Sequence, residues 1–461
     1  MKVHTIILAA GSGSRMQSLK AKSLQKVAGM TMIERIIRTA KQISDQITLV
    51  VGYDKEGIIE QAKKLGDFNY VEQPNPIGTG DAVKQAIPYV SDDEKVVILY
   101  GDVPLIKVDT LKNLISSSEE GFSILTSFPD GPYGYGRVIK NIDQNATGIV
   151  EQKDANDDQK NIKEIFTGNL CISGKILKES INDIKNNNAA NEYYLTDLVS
   201  INSKKEIKIN TYSVDINEVL GANSKKELEL IENTNRNMQA KDLQEKGVTI
   251  VDSNRIDIRG NVTVGKDCYI DVNVILEGDI ELGDGVEIGP NTYIKNTKIG
   301  SQTNIKAFSY IESAEIGSMC NIGPFARIRE GSDIGDEAKV GNFVETKKAK
   351  LGKGAKASHL TYLGDTEIGN DTNIGAGTIT CNYDGKNKYV TKIGDNAFIG
   401  SNSALVAPVE IGDGSFIAAG STITKDVPEN AVMVGIPAKN VGTASEEFKP
   451  YGVAPGGDTK L

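Results

Sequence analysis

From residue 248 onward aliphatic residues return at every sixth position, and few folds can use that period. The register runs Ile258, Val264, Ile270, Leu276, Leu282, Ile288 and Ile294, then steps by five to Ile299, Ile305 and Ile311. It resumes at Ile316, Ile322, Ile328, Ile334 and Val340, passes through Leu351, Ala357, Leu363, Ile368 and Ile374, and ends with Ile393, Ile399, Leu405, Ile411, Ile417 and Ile423. This matches neither the helical repeat nor the alternation of a long strand. It suits short strands meeting at corners, with each aliphatic side chain pointing inward and stacking on its counterpart one coil away. Gly or another small or polar residue usually follows, as in "IGDGVEIGP" and "IGDGSFIAAG". Three hexads make a triangular coil of 18 residues, so the spacing predicts a parallel β-helix of hexapeptide repeats.

The rhythm breaks between Thr380 and Ile393, where "CNYDGKNK" must leave the coil as a loop. Loops on a rigid scaffold often carry chemistry, but a tolerated insertion would read the same way.

The first half has another texture. "HTIILA", "ITLVVGY", "KVVILYG" and "FSILTSF" are apolar runs suited to strands buried on both faces, separated by helix-like stretches such as "TMIERIIRTAKQI". That alternation predicts a mostly parallel sheet covered by helices. Residues 223–246 are polar, rich in helix formers and almost free of Gly and Pro, as a connecting helix would be. The expected organisation is an α/β domain over 1–222, a linker helix over 223–247, the β-helix over 248–437 and a tail over 438–461.

"LAAGSGSRM" (residues 8–16) closes the first strand with a glycine loop, which brings backbone N–H groups close to a ligand. Met16 stands where a dinucleotide fingerprint needs a third glycine, and no GK[ST] follows as in a P-loop. Instead Arg15 and Lys22 put two cations beside a phosphate-sized cradle; a tight turn is the plain alternative. "VVILYGDVPL" ends a second strand with Gly101 and Asp102, at the strand ends where open α/β sheets bind ligands. Asp102 there could hold Mg²⁺ or cap the next turn. "GTGDAV" (residues 78–83) offers another small-residue loop into a helix.

Composition narrows the partners. The net charge is −10, with no dense run of Lys and Arg, which disfavours nucleic acid and anionic membrane. The longest apolar runs fall short of a membrane span, and the N-terminus reads as a strand rather than a signal segment. Four scattered cysteines without CxxC suit reduced thiols in the cytoplasm, and two histidines, His4 and His359, are too few for a histidine-rich metal site.

These pieces together resemble one family along nearly the whole chain. "LAAGSGSRM", "YGDVPL", "YGYGRV", "IVEQKDA", "NEYYLTD", "GPFARIR", "VGNFVETKKA", "SHLTYLGD" and "NIGAGTITCNYDG" are similar to motifs of the bifunctional N-acetylglucosamine-1-phosphate uridylyltransferase/glucosamine-1-phosphate acetyltransferases of bacterial cell-envelope synthesis. The resemblance implies an α/β Rossmann-like nucleotidyltransferase domain, a long linker helix and a left-handed parallel β-helix, the hand being an exception to the usual crossover rule. It implies a first site joining UTP to N-acetylglucosamine 1-phosphate. There Leu8, Ala9, Ala10 and Gly11 would line the nucleotide, and Gln73, Gly78 and Thr79 would recognise uracil. Tyr100, Gly101, Gly136 and Glu151 would face the sugar, Asp102 and Asn223 would ligate Mg²⁺, and Arg15 and Lys22 would bind phosphates.

The second implied site acetylates glucosamine 1-phosphate from acetyl-CoA, with His359 as general base. Arg329 and Lys347 would grip the sugar phosphate; Tyr362, Asn373, Asn382 and Tyr383 match sugar-side or base-orienting positions; Ala376, Ser401 and Ala419 match an acetyl-CoA channel. Glu345 is a candidate to orient the imidazole. A homotrimer built through the β-helix is also implied.

Departures from the family pattern are Ala21 for proline, Gln25 for histidine, Phe166 for a sugar-contacting Asn (with Asn169 nearby), Ile436 for a CoA-gripping arginine, and a tail without the usual basic cluster. A competing reading is a monofunctional sugar-1-phosphate nucleotidyltransferase whose β-helix is only an oligomerisation scaffold. A surface-binding β-helix would need regular Thr rows, which the chain lacks.

Overall fold

The structure is a computed structural model describing residues 2–443. The chain divides into two compact units, Met1–Asn235 and Arg236–Leu461. The boundary falls inside a 21-residue helix, Lys225–Glu245, where the polar helix-forming stretch was expected.

In the first unit seven strands form the main sheet: β1 (Val3–Ala9), β2 (Gln46–Val51), β3 (Asn69–Glu72), β4 (Lys95–Tyr100), β5 (Phe122–Ser127), β6 (Ile165–Ser173) and β7 (Ile209–Ser213). Their order is β7-β5-β6-β4-β1-β2-β3. All neighbours are parallel except β6, which runs antiparallel to both β4 and β5. Alternate residues of each strand serve two different cores. Ile6, Val96 and Ile98 pack with Ala82 and Val83 of α1 (Thr79–Ala86), while Ile7, Val97 and Leu99 pack with Ile33, Ile36 and Ile37 of the helix Met32–Ala40. Burial on both faces explains why these strands read as unbroken apolar runs. β1 lies between β2 and β4, so the loops after β1 and β4 open together at the carboxyl ends of the sheet, the usual ligand position in open α/β folds.

The second unit is a left-handed parallel β-helix. Its inward residues form three columns. One runs in register from Ile270 through Ile288, Ile305, Ile322 and Val340 to Ile417, and a second from Val264 through Ile299 and Ile334 to Ile411. The third runs Ile258, Leu276, Ile294, Ile311 and Ile328, then takes Thr346 before Leu363. Thr380 likewise stands in line with Leu405 and Ile423. These threonines are fully buried positions that aliphatic counting passes over; Thr346 Oγ1 meets Ser332 Oγ at 3.0 Å, and Thr380 Oγ1 donates to Gly364 O at 3.0 Å. Hydrogen bonding inside the prism makes a polar side chain tolerable there.

The expected extrusion is present: strand Ile379–Cys381 ends, and the next begins at Thr391. Residues Ala438–Thr443 pair antiparallel with Ala431–Gly435; the rest of the anticipated tail, from 444, lies outside the described residues. All four cysteines are free thiols. Among the described residues no helix is long and apolar enough to cross a membrane.

Candidate functional sites

In the first unit the strand ends gather most of the residues singled out from sequence. Gly101 N donates to Leu8 O at 2.8 Å, and a Cβ on Gly101 would stand 2.9 Å from that oxygen, so only glycine lets the two loops approach. Across this junction Lys22 Nζ bonds Asp102 Oδ2 and lies 3.2 Å from Asn223 Oδ1. Asp102 is buried, and Asn223 is held by its own N–H, which donates to Glu227 Oε2 at 2.7 Å at the start of the long helix. The aliphatic stem of Lys22 crosses the glycine loop. A Cβ on Gly13, whose φ is +63°, would sit 2.7 Å from Lys22 Cβ. The loop therefore needs glycine both for its left-handed turn and for this lysine. Arg15 is exposed on the turn Ser14–Met16.

A second group adjoins the first. Gln73 Nε2 donates to Gly78 O at 3.0 Å and to Asp81 Oδ2 at 2.8 Å, fixing the N-terminal turn of α1. Gly78 has φ +128°, and a Cβ there would lie 2.3 Å from Tyr193 O. Thr79 Oγ1 accepts from Leu195 N at 3.1 Å and is also the hydrogen-bond partner of the Tyr100 hydroxyl, whose pKa is raised chiefly by burial. Glu151 accepts from Thr196 Oγ1 at 3.2 Å, and burial, with Asp154, Asp197 and Glu192 around it, pushes its carboxyl above the usual range. Gly136 faces it: a Cβ there would be 3.5 Å from both Glu151 carboxylate oxygens.

The departures take definite places. Ala21 N donates to Asp54 Oδ2 at 3.0 Å, a bond proline could not make. Gln25 Nε2 donates to Ser18 Oγ at 3.1 Å, and its oxygen accepts from Lys225. Phe166 is buried in the core, while Asn169 is fully buried in the irregular part of β6 and its Oδ1 has no hydrogen-bond partner among the described residues. Ile436 is exposed.

In the second unit His359 ends the strand Lys356–His359 at a corner of the prism. Its Nδ1 lies 2.6 Å from Asn342 Oδ1, one coil earlier. Asn342 was not among the residues singled out from sequence. Glu345, the candidate for that role, instead accepts from Arg329 Nη1 at 2.7 Å. Lys347 is paired with Glu330 at 3.2 Å, so both expected phosphate-gripping cations have carboxylate partners here. Arg329 and Lys347 share one face with Tyr362. A Cβ at Gly364 would lie 2.3 Å from the Tyr362 hydroxyl, so this glycine, also unremarked in the sequence, makes room for the ring. Asn373 stands in register with Lys356 on the His359 sheet.

Asn382 is buried and donates to Asp365, whereas Tyr383 is exposed on the extruded loop, its hydroxyl donating to Gly385 O at 2.6 Å. The register pairing Ala357 with Ile374, Ile399 and Ile417 puts Ala376, Ser401 and Ala419 in one line beyond His359. Gly375 and Gly400 keep this corner narrow, since Cβ atoms there would lie 2.5 Å from Ser401 N and 2.4 Å from Ala419 N.

Comparison with known proteins agrees with this division. A family profile described as a MobA-like NTP transferase domain matches residues 5–147, one described as the GMPPB C-terminal domain matches 256–351, and one described as bacterial transferase hexapeptide (six repeats) matches 391–425. The chain is 48% identical over 433 residues to the bifunctional protein GlmU of Marinomonas sp. (strain MWYL1), covering 93% of this chain and 95% of that one. It is 48% identical over 437 residues to that of Idiomarina loihiensis, and 47% identical over 437 residues to that of Francisella tularensis subsp. tularensis, covering 94% of this chain and 96% of the relative in each case. With this identity along nearly the whole of both chains, the protein belongs to the GlmU family of bifunctional uridylyltransferase/acetyltransferases.

Proposed function

We propose that the strand-end site of the first unit transfers uridylyl from UTP to N-acetylglucosamine 1-phosphate, and that the His359 corner of the β-helix acetylates glucosamine 1-phosphate from acetyl-CoA. The observation that carries the reading is the convergence of Lys22, Asp102 and Asn223 on one cation position at the ends of β1 and β4. An ammonium already stands between two oxygen donors of the kind Mg²⁺ prefers. Asp102 and Asn223 would hold the ion, with nucleotide oxygens and water completing its shell. Bound there, Mg²⁺ would neutralise phosphate charge. Leu8, Ala9, Ala10 and Gly11 would support the nucleotide through backbone groups. Gln73, Gly78 and Thr79 would take the base, and Tyr100, Gly101, Gly136 and Glu151 the sugar. Arg15 and Lys22 would offset charge on the departing pyrophosphate, since catalysis of this reaction is largely positioning and electrostatics.

In the β-helix, His359 Nε2 would remove a proton from the amine as it attacks the thioester. Arg329 and Lys347 would exchange their carboxylate partners for the sugar phosphate. Tyr362, Asn373, Asn382 and Tyr383 would surround the sugar, and the Ala376–Ser401–Ala419 line, free of bulk, would bed the acetyl-CoA arm. The reading extends to a cytoplasmic homotrimer assembled through the prism, feeding cell-envelope synthesis. A scaffold-only β-helix has no need of an imidazole held by a dedicated amide at an open corner, which favours two active centres.

The test is product analysis with UTP, Mg²⁺, acetyl-CoA and glucosamine 1-phosphate. UDP-N-acetylglucosamine should require all four, and His359→Ala should abolish acetylation while sparing uridylyl transfer from supplied N-acetylglucosamine 1-phosphate. Full acetylation by that variant would return the β-helix to a scaffold.

A further inference from the structure

We infer that Asn342 is a positioning residue for His359, fixing the imidazole in its Nδ1–H form so that Nε2 stays free to accept a proton. The inference rests on the reading of His359 as the acetyl-transfer base. An amide oxygen can only accept, so the 2.6 Å contact between Asn342 Oδ1 and His359 Nδ1 puts the hydrogen on the ring nitrogen. A neutral imidazole carries one such hydrogen, and Nε2 therefore keeps its lone pair. The Nδ1–H form is the minor tautomer of a histidine side chain in water, so it persists only where a neighbour selects it.

The fold builds this neighbour. Asn342 and His359 are paired in register at the ends of strands Lys339–Asn342 and Lys356–His359. The next residues, Phe343 and Leu360, both turn the corner with left-handed backbones, φ 58° and 50°. Leu360 N donates to Asn342 O at 3.0 Å, so backbone and side chain tie the same two coils together. Register places Pro324 one coil before Asn342, and Ala376 follows His359, so neither adjacent coil offers the ring another side-chain partner at this position. Glu345, the carboxylate proposed from sequence for this role, is engaged by Arg329. A neutral amide also selects the tautomer without adding a formal charge beside the ring. That suits a base that must be uncharged when the amine arrives.

The chain has two histidines, which makes a direct spectroscopic test practical. The full-length protein, labelled with ¹⁵N at histidine only, is observed by magic-angle-spinning NMR at a pH where imidazole is neutral, with His359→Asn identifying the His359 signals. The expected wild-type spectrum has a pyrrole-type Nδ1 and a pyridine-type Nε2 for His359. Asn342→Ala should move these signals toward the Nε2–H pattern. It should also lower kcat for acetylation about tenfold or more, with the KM for glucosamine 1-phosphate changed less than about twofold and uridylyl transfer unchanged. Asn342→Asp, which still accepts from Nδ1–H, should retain the wild-type tautomer. A wild-type Nε2–H spectrum, or an Asn342→Ala protein with unaltered signals and unaltered kcat, would overturn the inference. These outcomes are separable from failure of the base assignment, which shows instead as full acetylation by His359→Ala. The wild-type spectrum needs no variant to fold.

Discussion

If Asp102 and Asn223 hold Mg²⁺ as proposed, the contact of Lys22 with this pair predicts that the free protein resists the metal. The perturbation is Lys22→Met, which removes the ammonium but leaves the stem that lies across Gly13. A hydrogen bond to a charged group contributes roughly 1.5–3 kcal/mol. Lys22 is 22% exposed and Asp102 9%, so the lower end applies and solvent weakens the pair further. About 1.4 kcal/mol corresponds to tenfold in affinity, so the nucleotide-free variant should bind a divalent ion about tenfold more tightly than wild type. The assay is titration of full-length protein with Mn²⁺, free ion being read by electron paramagnetic resonance, with Asp102→Asn as a non-binding control. Adding UTP should then strengthen Mn²⁺ binding in wild type more than in the variant. In wild type the triphosphate is expected to draw Lys22 away from the carboxylate and vacate the position, and by linkage the metal would favour the nucleotide equally. Equal or weaker Mn²⁺ binding by nucleotide-free Lys22→Met would refute the competition.

Glu151→Gln should be more stable than wild type at pH 7 and indistinguishable from it near pH 4 by thermal melting. A carboxyl raised by burial folds best when protonated, so its cost appears as pH rises above the unfolded value of about 4.3 and grows until the folded value is passed. The same variant should lose uridylyl transfer if the buried carboxylate faces the sugar as proposed. Ile322→Ala, in the middle of a fully buried column, should destabilise the hexapeptide unit by about 2–5 kcal/mol, measured as a lower denaturant midpoint, with uridylyl transfer preserved below that midpoint. Gly78→Ala should raise the KM for UTP or impair folding, because its Cβ would meet Tyr193 O in a left-handed backbone; wild-type kinetics and melting would dismiss the close approach. Sedimentation should give a trimer whose mass is unchanged by Lys22→Met.

What could be read from sequence followed from periodicity. The prism columns stand where the hexads put them, because an inward position repeats on every coil whatever the rest of the coil does. The unbroken apolar runs likewise announced strands covered on both faces. Thr346 escaped because it occupies an inward position by hydrogen bonding rather than by being apolar. Lys22 was legible as a cation near a glycine loop. Asp102 and Asn223 were legible as metal ligands, the one from its strand end and the other from the family resemblance. Their contact with Lys22 was not, since they lie 80 and 201 residues away from it in sequence. The displacement of Glu345 by Asn342 beside His359 shows what a local reading lacks. Glu345, 14 residues before His359, lies on a face engaged with Arg329, whereas His359 ends a strand at a corner. Asn342 sits 17 residues before His359, one full coil. In a prism of this kind the environment of a side chain is set by the residues one coil before and one coil after it, more than by those beside it in the chain. Read at that stride, Pro324, Asn342, His359 and Ala376 become consecutive letters of one short word, and the amide that selects the tautomer stands next to the imidazole it serves.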